Sequence, residues 1–196
     1  MEYLVIILGA SLFGLQHSGI SALRVKNKII DRLGKQGYSR IFTITSIVTL
    51  LIPFIAMDFW NWLYPIASFE SYHPVQVLVA GLLIASGAVL AMKASSVISV
   101  STVADMRSDR TPELITDGIY AKIRHPLYLA TILLLVGLLL LYPFIEVTIF
   151  SLSLIAYTLI GSYFEERKLV AHYGEKYIEY RKTAGFILPK LRKVSS

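Results

Sequence analysis

The sequence predicts an all-α, polytopic membrane protein with five transmembrane helices and a C-terminal interfacial helix at the cytosolic side. Three observations support this fold class: the composition, a series of long apolar runs and the distribution of the basic residues. Hydrophobic residues make up 55% of the 196 residues and charged residues only 16%. That balance is too apolar for an ordinary soluble domain. The length predicts a single domain over residues 1–196.

Apolar runs bounded by charged residues predict where the five spans lie, since a helix crosses a bilayer in about 20 residues. The first three spans are predicted at residues 3–23, 41–57 and 75–92. A fourth run, 127–164, is too long for one span. Tyr142-Pro143 near its middle is a turn signal, because proline lacks the N–H that a helix interior needs. We therefore predict a helical hairpin with spans at 127–141 and 144–164.

The basic residues all fall on one side of this five-span topology. Of the 19 lysines and arginines, six lie within residues 24–40, five within 93–124 and eight within 167–193. Because basic residues accumulate on the cytosolic side, we predict a multi-pass protein with its N-terminus outside and its C-terminus in the cytosol. The net charge is +6, and the basic residues that produce it lie beside apolar runs. The expected partner is therefore membrane lipid and not nucleic acid.

The tail after the fifth span predicts one more helix. From Glu165 to about Lys182 it mixes leucine, valine and tyrosine with charged residues, a pattern typical of an amphipathic helix. We expect this helix to lie at the membrane interface or to fold back over the ends of the spans.

Common signatures of soluble enzymes and metal sites are absent. The chain has no cysteine, which excludes disulfides and a cysteine nucleophile. It contains no G-x-G-x-x-G, Walker A, G-x-S-x-G or H-E-x-x-H motif. Its four histidines are scattered without metal-ligand spacing, so no metal site is predicted.

A dense polar run precedes the fourth span. Pro126 suits the first turn of a helix, and Arg124 and His125 would flank the helix start. A helix N-terminus attracts anions, and an adjacent arginine adds a bidentate grip on a carboxylate or phosphate. The alternative is an interfacial anchor, in which the arginine reaches the headgroups and the proline starts the span.

Two glutamates, Glu165 and Glu166, end the fifth span. The helix dipole does not favour acidic residues at a C-terminus. They could simply pair with lysines one turn later. The hairpin, however, places the cytosolic ends of spans four and five side by side, so both glutamates should lie near Arg124 and His125. Paired positive and negative groups suit a zwitterionic ligand.

These residues carry a family resemblance. Four features in this order resemble the isoprenylcysteine carboxyl methyltransferase superfamily. They are the pattern D-G-I-Y-x-x-I-R-H-P-x-Y, a helical hairpin, the pattern E-E-R-x-L-V-x-x-Y-G-x-x-Y-x-x-Y-R-K and a final L-P. Its members are integral membrane methyltransferases that use S-adenosylmethionine, and phospholipid methyltransferases share the C-terminal pattern. The L-Q-H-S run at residues 15–18 is similar to the branch with membrane methanethiol S-methyltransferases and proteins related to nitrite and nitric oxide metabolism.

The resemblance implies a donor-binding region at residues 117–189, in a pocket that faces the cytosol. The positions that match the family's S-adenosylmethionine site are Tyr120, Arg124, His125, Pro126, Tyr128, Glu165, Glu166, Tyr177 and Tyr180. Among these, Arg124 and Glu166 are expected to take part in catalysis.

The acceptor residues follow less directly from the pattern. Prenylcysteine enzymes of the eukaryotic type carry an arginine shortly after the last Tyr-x-x-Tyr, where this chain has Thr183. Arg181 or Lys182 could replace it with a shifted register. His17, a polar residue within span one, is a candidate for catalysis and acceptor recognition; the alternative is a hydrogen bond between helices.

The resulting hypothesis is an S-adenosylmethionine-dependent membrane methyltransferase without a metal. Its acceptor would be lipophilic or derived from a small thiol, with either an isoprenylcysteine carboxylate or a thiol sulfur as the reacting group. One alternative is a phospholipid N-methyltransferase. A second is a non-enzymatic transport or sensing protein, although transporters usually place ionisable residues near the bilayer midplane.

Overall fold

The computed structural model describes residues 2–57, 63–64, 68–97 and 114–190. Arg107, Arg110, Arg192 and Lys193, which enter the charge argument above, lie outside these ranges. Within them the chain forms six α-helices: α1 (Glu2–Ser21), α2 (Leu23–Ile55), α3 (Pro74–Val97), α4 (Pro126–Leu141), α5 (Ile145–Tyr173) and α6 (Glu175–Thr183).

The all-α membrane fold is confirmed. Helices α1, α2, α3 and α5 are long and apolar enough to cross a membrane, and α4 is a shorter apolar helix of 16 residues. The described residues contain no β-strand, only an isolated bridge between Ile123 and Gly185. The predicted hairpin is also present, because α4 ends at Leu141 and α5 begins at Ile145.

The second helix is longer than the predicted span at residues 41–57. It begins at Leu23, and Gly34, with φ 71° and ψ 173°, interrupts its helical geometry. Lysine and arginine are good helix formers, so the basic segment continues the helix. The apolar run in the sequence identifies only the part of helix α2 that is suited to contact with lipid. The first part packs inward through Ile30, which is buried with Tyr38.

The prediction of one helix from Glu165 to Lys182 was wrong. Helix α5 continues without a break to Tyr173, nine residues beyond the predicted end of span five, and α6 begins after Gly174. Gly174 has φ +57°, a conformation that glycine adopts without steric cost. The chain therefore turns there, and α6 buries Tyr177 and Tyr180 against the protein.

Close helix packing at glycines sets the positions of the spans. A Cβ at Gly137 of α4 would lie 2.6 Å from Ile84 Cγ1 and 3.2 Å from the Ala80 carbonyl oxygen of α3. On the other side of the bundle, a Cβ at Gly14 of α1 would lie 2.8 Å from the Tyr157 ring of α5. Helix α5 also packs on α4, so it lies between α1 and α4, and its Glu165-Glu166 segment lies beside the start of α4.

Candidate functional site

The helical hairpin brings the Arg-His-Pro and Glu-Glu segments into contact. Arg124 Nε lies 3.0 Å from Glu166 Oε1, and Arg124 Nη2 lies 2.9 Å from Glu166 Oε2. This is a bidentate ion pair, the geometry that a guanidinium fork forms with a carboxylate. Both side chains are nearly buried, with 7% and 9% of their surfaces exposed. The expected proximity of the two clusters is confirmed.

Glu166 uses all of its hydrogen-bonding capacity within the protein. Besides Arg124, its Oε1 accepts from the Tyr177 hydroxyl at 2.6 Å and lies 2.9 Å from His125 Nε2. Its Oε2 lies 3.3 Å from Arg181 Nε. A carboxylate offers about four acceptor positions. Glu166 therefore has no free position for a ligand, and His125 Nε2 must carry the proton of that contact.

Glu165 is in a different environment. Its Oε2 accepts a hydrogen bond of 2.6 Å from the Tyr128 hydroxyl and lies 3.7 Å from His125 Nδ1. Its side chain is 44% exposed, and the ring of Tyr128 stacks on that of His125 with centroids 5.3 Å apart. His125 thus lies between the two glutamates, and Glu165 keeps free acceptor positions.

The chain after α6 closes the cluster from the other side. We call residues 184–190 the C-terminal strap. Its Gly185 N–H donates to the Lys122 carbonyl, and the Gly185 and Phe186 carbonyls accept from the backbone N–H groups of Arg124 and His125. Arg124 Nη1 also donates to the Ala184 carbonyl at 2.6 Å. Arg124 therefore connects α5, the start of α4 and the strap.

Three predicted tyrosines are buried behind this cluster. The Tyr180 hydroxyl donates to the Tyr120 carbonyl at 2.6 Å. Burial raises the pKa of both Tyr120 and Tyr180 to about 12, with the charge of Glu165 adding to the effect at Tyr120. Burial and the Glu166 carboxylate likewise raise the pKa of Tyr177. All three stay neutral at ordinary pH, so Tyr177 and Tyr180 act as hydrogen-bond donors.

A pocket of about 550 Å³ lies beside the ion pair. Its lining includes three of the predicted site residues, namely Arg124, Glu166 and Arg181. It also includes residues that sequence reasoning missed: Tyr163, Arg167, Val170 and Phe186. Helical spacing from Glu166 could have indicated Tyr163 and Val170, which lie three residues before it and four after it, but not the adjacent Arg167. Phe186 had no such signal, because the strap brings it there through backbone hydrogen bonds.

Two predicted acceptor residues lie outside this pocket. Lys182 Nζ lies 2.5 Å from Glu179 Oε1 on an exposed part of α6. His17 lies in the α1–α2 hairpin, where its Nδ1 is 3.3 Å from Ser46 Oγ and its ring lies against Phe42. In the described structure His17 has no contact with the Arg124–Glu166 cluster, so its role in catalysis and acceptor recognition stays a prediction.

Comparison with known proteins places the chain in a family. Residues 5–191 match the family described as NnrU protein. The methanethiol S-methyltransferase of Pseudomonas deceptionensis is 37% identical over 90 residues, which cover 44% of this chain and 30% of that protein. The protein-S-isoprenylcysteine O-methyltransferase of Schizosaccharomyces pombe is 35% identical over 85 residues, which cover 43% of this chain and 36% of that protein.

These matches agree with the superfamily that the sequence motifs indicated. The chain spans about a third of the length of the curated relatives it matches. No solved structure matches it. Because the match to the NnrU protein family extends over almost the whole sequence, the chain belongs to that family.

Proposed function

We propose that this chain is an S-adenosylmethionine-dependent membrane methyltransferase. Its acceptor is lipophilic or derived from a small thiol, with either the carboxylate of an isoprenylcysteine or the sulfur of a thiol as the reacting group. The observation that carries the proposal is the Arg124–Glu166 ion pair at the wall of a pocket of about 550 Å³. The names of the two methyltransferase relatives support the same reaction class.

The pocket suits the size and chemistry of the donor. Small-molecule pockets commonly measure about 300–1,000 Å³. Arg124 keeps one N–H on Nη2 after its contacts with Glu166 and with the Ala184 and Arg181 carbonyls, and this group could hold the donor carboxylate. The apolar wall formed by Val170 and Phe186 suits the purine ring. The donor would supply a methyl group on a positively charged sulfur.

The protein's part in such a reaction is to position groups and exclude water. Glu166 holds Arg124 in its pocket-facing orientation through two hydrogen bonds. The strap places Phe186 over the guanidinium, whose central carbon lies 5.7 Å from the ring centroid. We propose that the remaining predicted residues near the Arg124–Glu166 pair complete the donor site, namely Glu165, Tyr128, His125, Pro126 and Tyr120.

Titration of S-adenosylmethionine into purified protein in lipid nanodiscs, followed by calorimetry, tests the proposal. We expect saturable binding that Arg124→Lys weakens at least tenfold, because a lysine cannot reproduce the guanidinium fork. Lys122→Gln is the matched control, since it removes a nearby exposed charge outside the pocket. A folded wild-type protein that does not bind the donor would favour the non-enzymatic transport or sensing alternative.

A transfer assay with radiolabelled donor then separates the enzymatic alternatives. Methylation of a prenylcysteine or an alkanethiol is the expected result. Methylation of phosphatidylethanolamine alone would point to a phospholipid N-methyltransferase and would contradict the proposed acceptor class.

A further inference from the structure

Arginines form a cationic rim around the pocket, and binding of the donor alone does not explain why so many positive charges lie there. Its charged lining consists of three arginines and one glutamate, so the sum of formal charges is 3 − 1 = +2. Arg124 is engaged by Glu166 and by the Ala184 carbonyl. Two further arginines, Arg167 and Arg181, are left at the rim.

The charges of these two arginines are not fully neutralised by the protein, so both can bind an anionic ligand. Arg181 has one ion-pair contact, at 3.3 Å with a Glu166 carboxylate that is already saturated, and its side chain is 48% exposed. Arg167 lines the pocket with no hydrogen bond or ion pair to any residue that the structure describes. The donor carries one net positive charge, so it cannot neutralise this rim. An anion bound next to the donor would neutralise the rim.

The apolar part of the pocket indicates what kind of anion fits. Tyr163 lines the pocket on the same helix as Arg167 and is 60% exposed, and the adjacent Phe164 is 51% exposed. Large exposed aromatic side chains near the end of a membrane helix suit the boundary between lipid and headgroups. An amphiphile could therefore place its charge between the arginines and its apolar chain along Tyr163.

We propose that Arg167 joins Arg181, which the sequence already indicated as an acceptor residue, in binding the methyl acceptor as an anion, that is, as a thiolate or a carboxylate. This inference rests on the proposed function and deepens it. In the transfer, a bond forms between the acceptor sulfur or oxygen and the methyl carbon. The bond from that carbon to the donor sulfur breaks, and its electron pair stays on the donor sulfur. An anion and a sulfonium thus become two neutral groups.

The same chemistry disfavours an amine acceptor at this site. Attack by a neutral amine produces an ammonium ion before the proton is lost, and that positive charge would form beside the arginines. Like charges at short range repel strongly where water is limited. The arginine rim therefore selects against the phospholipid N-methyltransferase alternative.

Two unreactive probes of equal chain length test the charge selectivity directly. Octanesulfonate and octanol are titrated into protein in nanodiscs of zwitterionic lipid, with empty nanodiscs as the blank. We expect octanesulfonate to bind more tightly than octanol. Arg167→Gln and Arg181→Gln should each weaken octanesulfonate binding about tenfold, as the loss of a hydrogen bond to a charged group does. Equal binding of the two probes would overturn the inference.

Lys168→Gln is the matched control. Lys168 is the exposed neighbour of Arg167 and lies outside the pocket lining, so its loss should leave octanesulfonate binding unchanged. An equal loss in Lys168→Gln and Arg167→Gln would show a diffuse charge effect and would contradict a specific site. Thermal unfolding of each variant confirms that it is folded.

S-adenosylmethionine titrations on the same samples separate this inference from the proposed function. Unchanged donor affinity in Arg167→Gln, together with weakened octanesulfonate binding, would support an acceptor site. Equal loss of both ligands would mean that the rim holds the donor carboxylate, which would overturn the assignment to the acceptor. Wild-type protein that binds octanesulfonate but no donor would contradict the proposed function and leave the anion site standing.

Discussion

The two residues of the Glu-Glu pair, Glu165 and Glu166, have different roles. Glu166 is nearly buried and contacts two arginines, whereas Glu165 is 44% exposed and accepts one tyrosine hydrogen bond. Glu166→Gln should therefore destabilise the protein by about 3–5 kcal/mol, because it leaves Arg124 without its counter-charge. Glu165→Gln should change stability little. Thermal unfolding in nanodiscs compares the two variants, and equal losses would contradict the division of roles.

Tyr177 and Tyr173 provide a matched test of a single hydroxyl. Tyr177 donates to Glu166 at 2.6 Å, whereas the buried Tyr173 hydroxyl has no hydrogen-bond partner among the described residues. Tyr177→Phe should cost about 1.5–3 kcal/mol, as expected for a bond to a charged group. Tyr173→Phe should be neutral or slightly stabilising. Denaturant unfolding measures both, and a larger loss for Tyr173→Phe would be inconsistent with this network.

The buried tyrosines also predict how stability depends on alkaline pH. The pKa of Tyr120 and Tyr180 is raised to about 12 in the folded protein, against about 10 in an unfolded chain. Their contribution to stability is thus fully present below pH 10 and is lost as the pH rises from about 10 to about 12. Tyrosinate absorbance and circular dichroism should show these side chains ionising together with unfolding. Ionisation of all tyrosines near pH 10 in a folded protein would contradict this.

The contact between Arg124 and Glu166 could be predicted from the sequence. The residues that surround this contact could be predicted only in part. The hairpin turn at Pro143 makes α4 and α5 antiparallel neighbours, so the start of α4 lies beside the Glu165-Glu166 segment of α5. That Glu166 is saturated depends on Tyr177 and Arg181 of α6. Their positions follow from the turn at Gly174, which the helical pattern of the tail did not reveal.

Among the structural elements, the C-terminal strap contributes Phe186 to the wall of the pocket. Its turn requires glycine, because a Cβ at Gly185 would lie 1.8 Å from the Leu188 carbonyl oxygen. Lys190 Nζ fastens the end of the strap to the Arg181 and Lys182 carbonyls at 3.1 and 2.8 Å. Small changes in this short segment should therefore reach the pocket wall at Phe186.

Gly185→Ala should displace the strap, since the added methyl group would overlap backbone atoms. We expect a loss of about 1–3 kcal/mol and weaker binding of ligands in the pocket. Gly81→Ala is the control. A Cβ at Gly81, inside α3, has no neighbour within 4 Å, so alanine there should stabilise by up to about 1 kcal/mol. Unfolding and donor titration compare the two, and normal donor binding in Gly185→Ala would contradict the strap's role.

Apolar runs predicted the centres of the helices better than their ends. The predicted span at 127–141 agrees with α4 to one residue because proline begins that helix and a second proline follows it. In contrast, α2 and α5 extend well past their apolar parts, because charged residues there are still good helix formers. Helix ends that depend on a single glycine conformation, as at Gly174, give only a weak signal in the sequence.

Across the described residues, the lysines and arginines lie at one end of the bundle, while neutral polar groups link the helices within it. Gln16 on α1 donates to Thr45 of α2 at 2.7 Å and accepts from Thr49 at 3.1 Å, and Ser18 Oγ lies 2.9 Å from the Tyr157 hydroxyl of α5. These hydrogen bonds between helices indicate that Gln16 and Ser18 of the L-Q-H-S run have a packing role. They attach the first hairpin to the helix that carries Glu165 and Glu166.

The orientation in the membrane is the prediction that concerns the whole chain. The positive-inside rule places the basic ends in the cytosol, and the absence of cysteine allows single-cysteine labelling on an otherwise unreactive background. Ser71 lies in the loop before α3 and Lys176 in α6, and both are exposed. With a membrane-impermeant maleimide, Ser71→Cys should be labelled in intact cells and Lys176→Cys only after permeabilisation. The reverse pattern would invert the topology, and labelling of both from one side would contradict five spans.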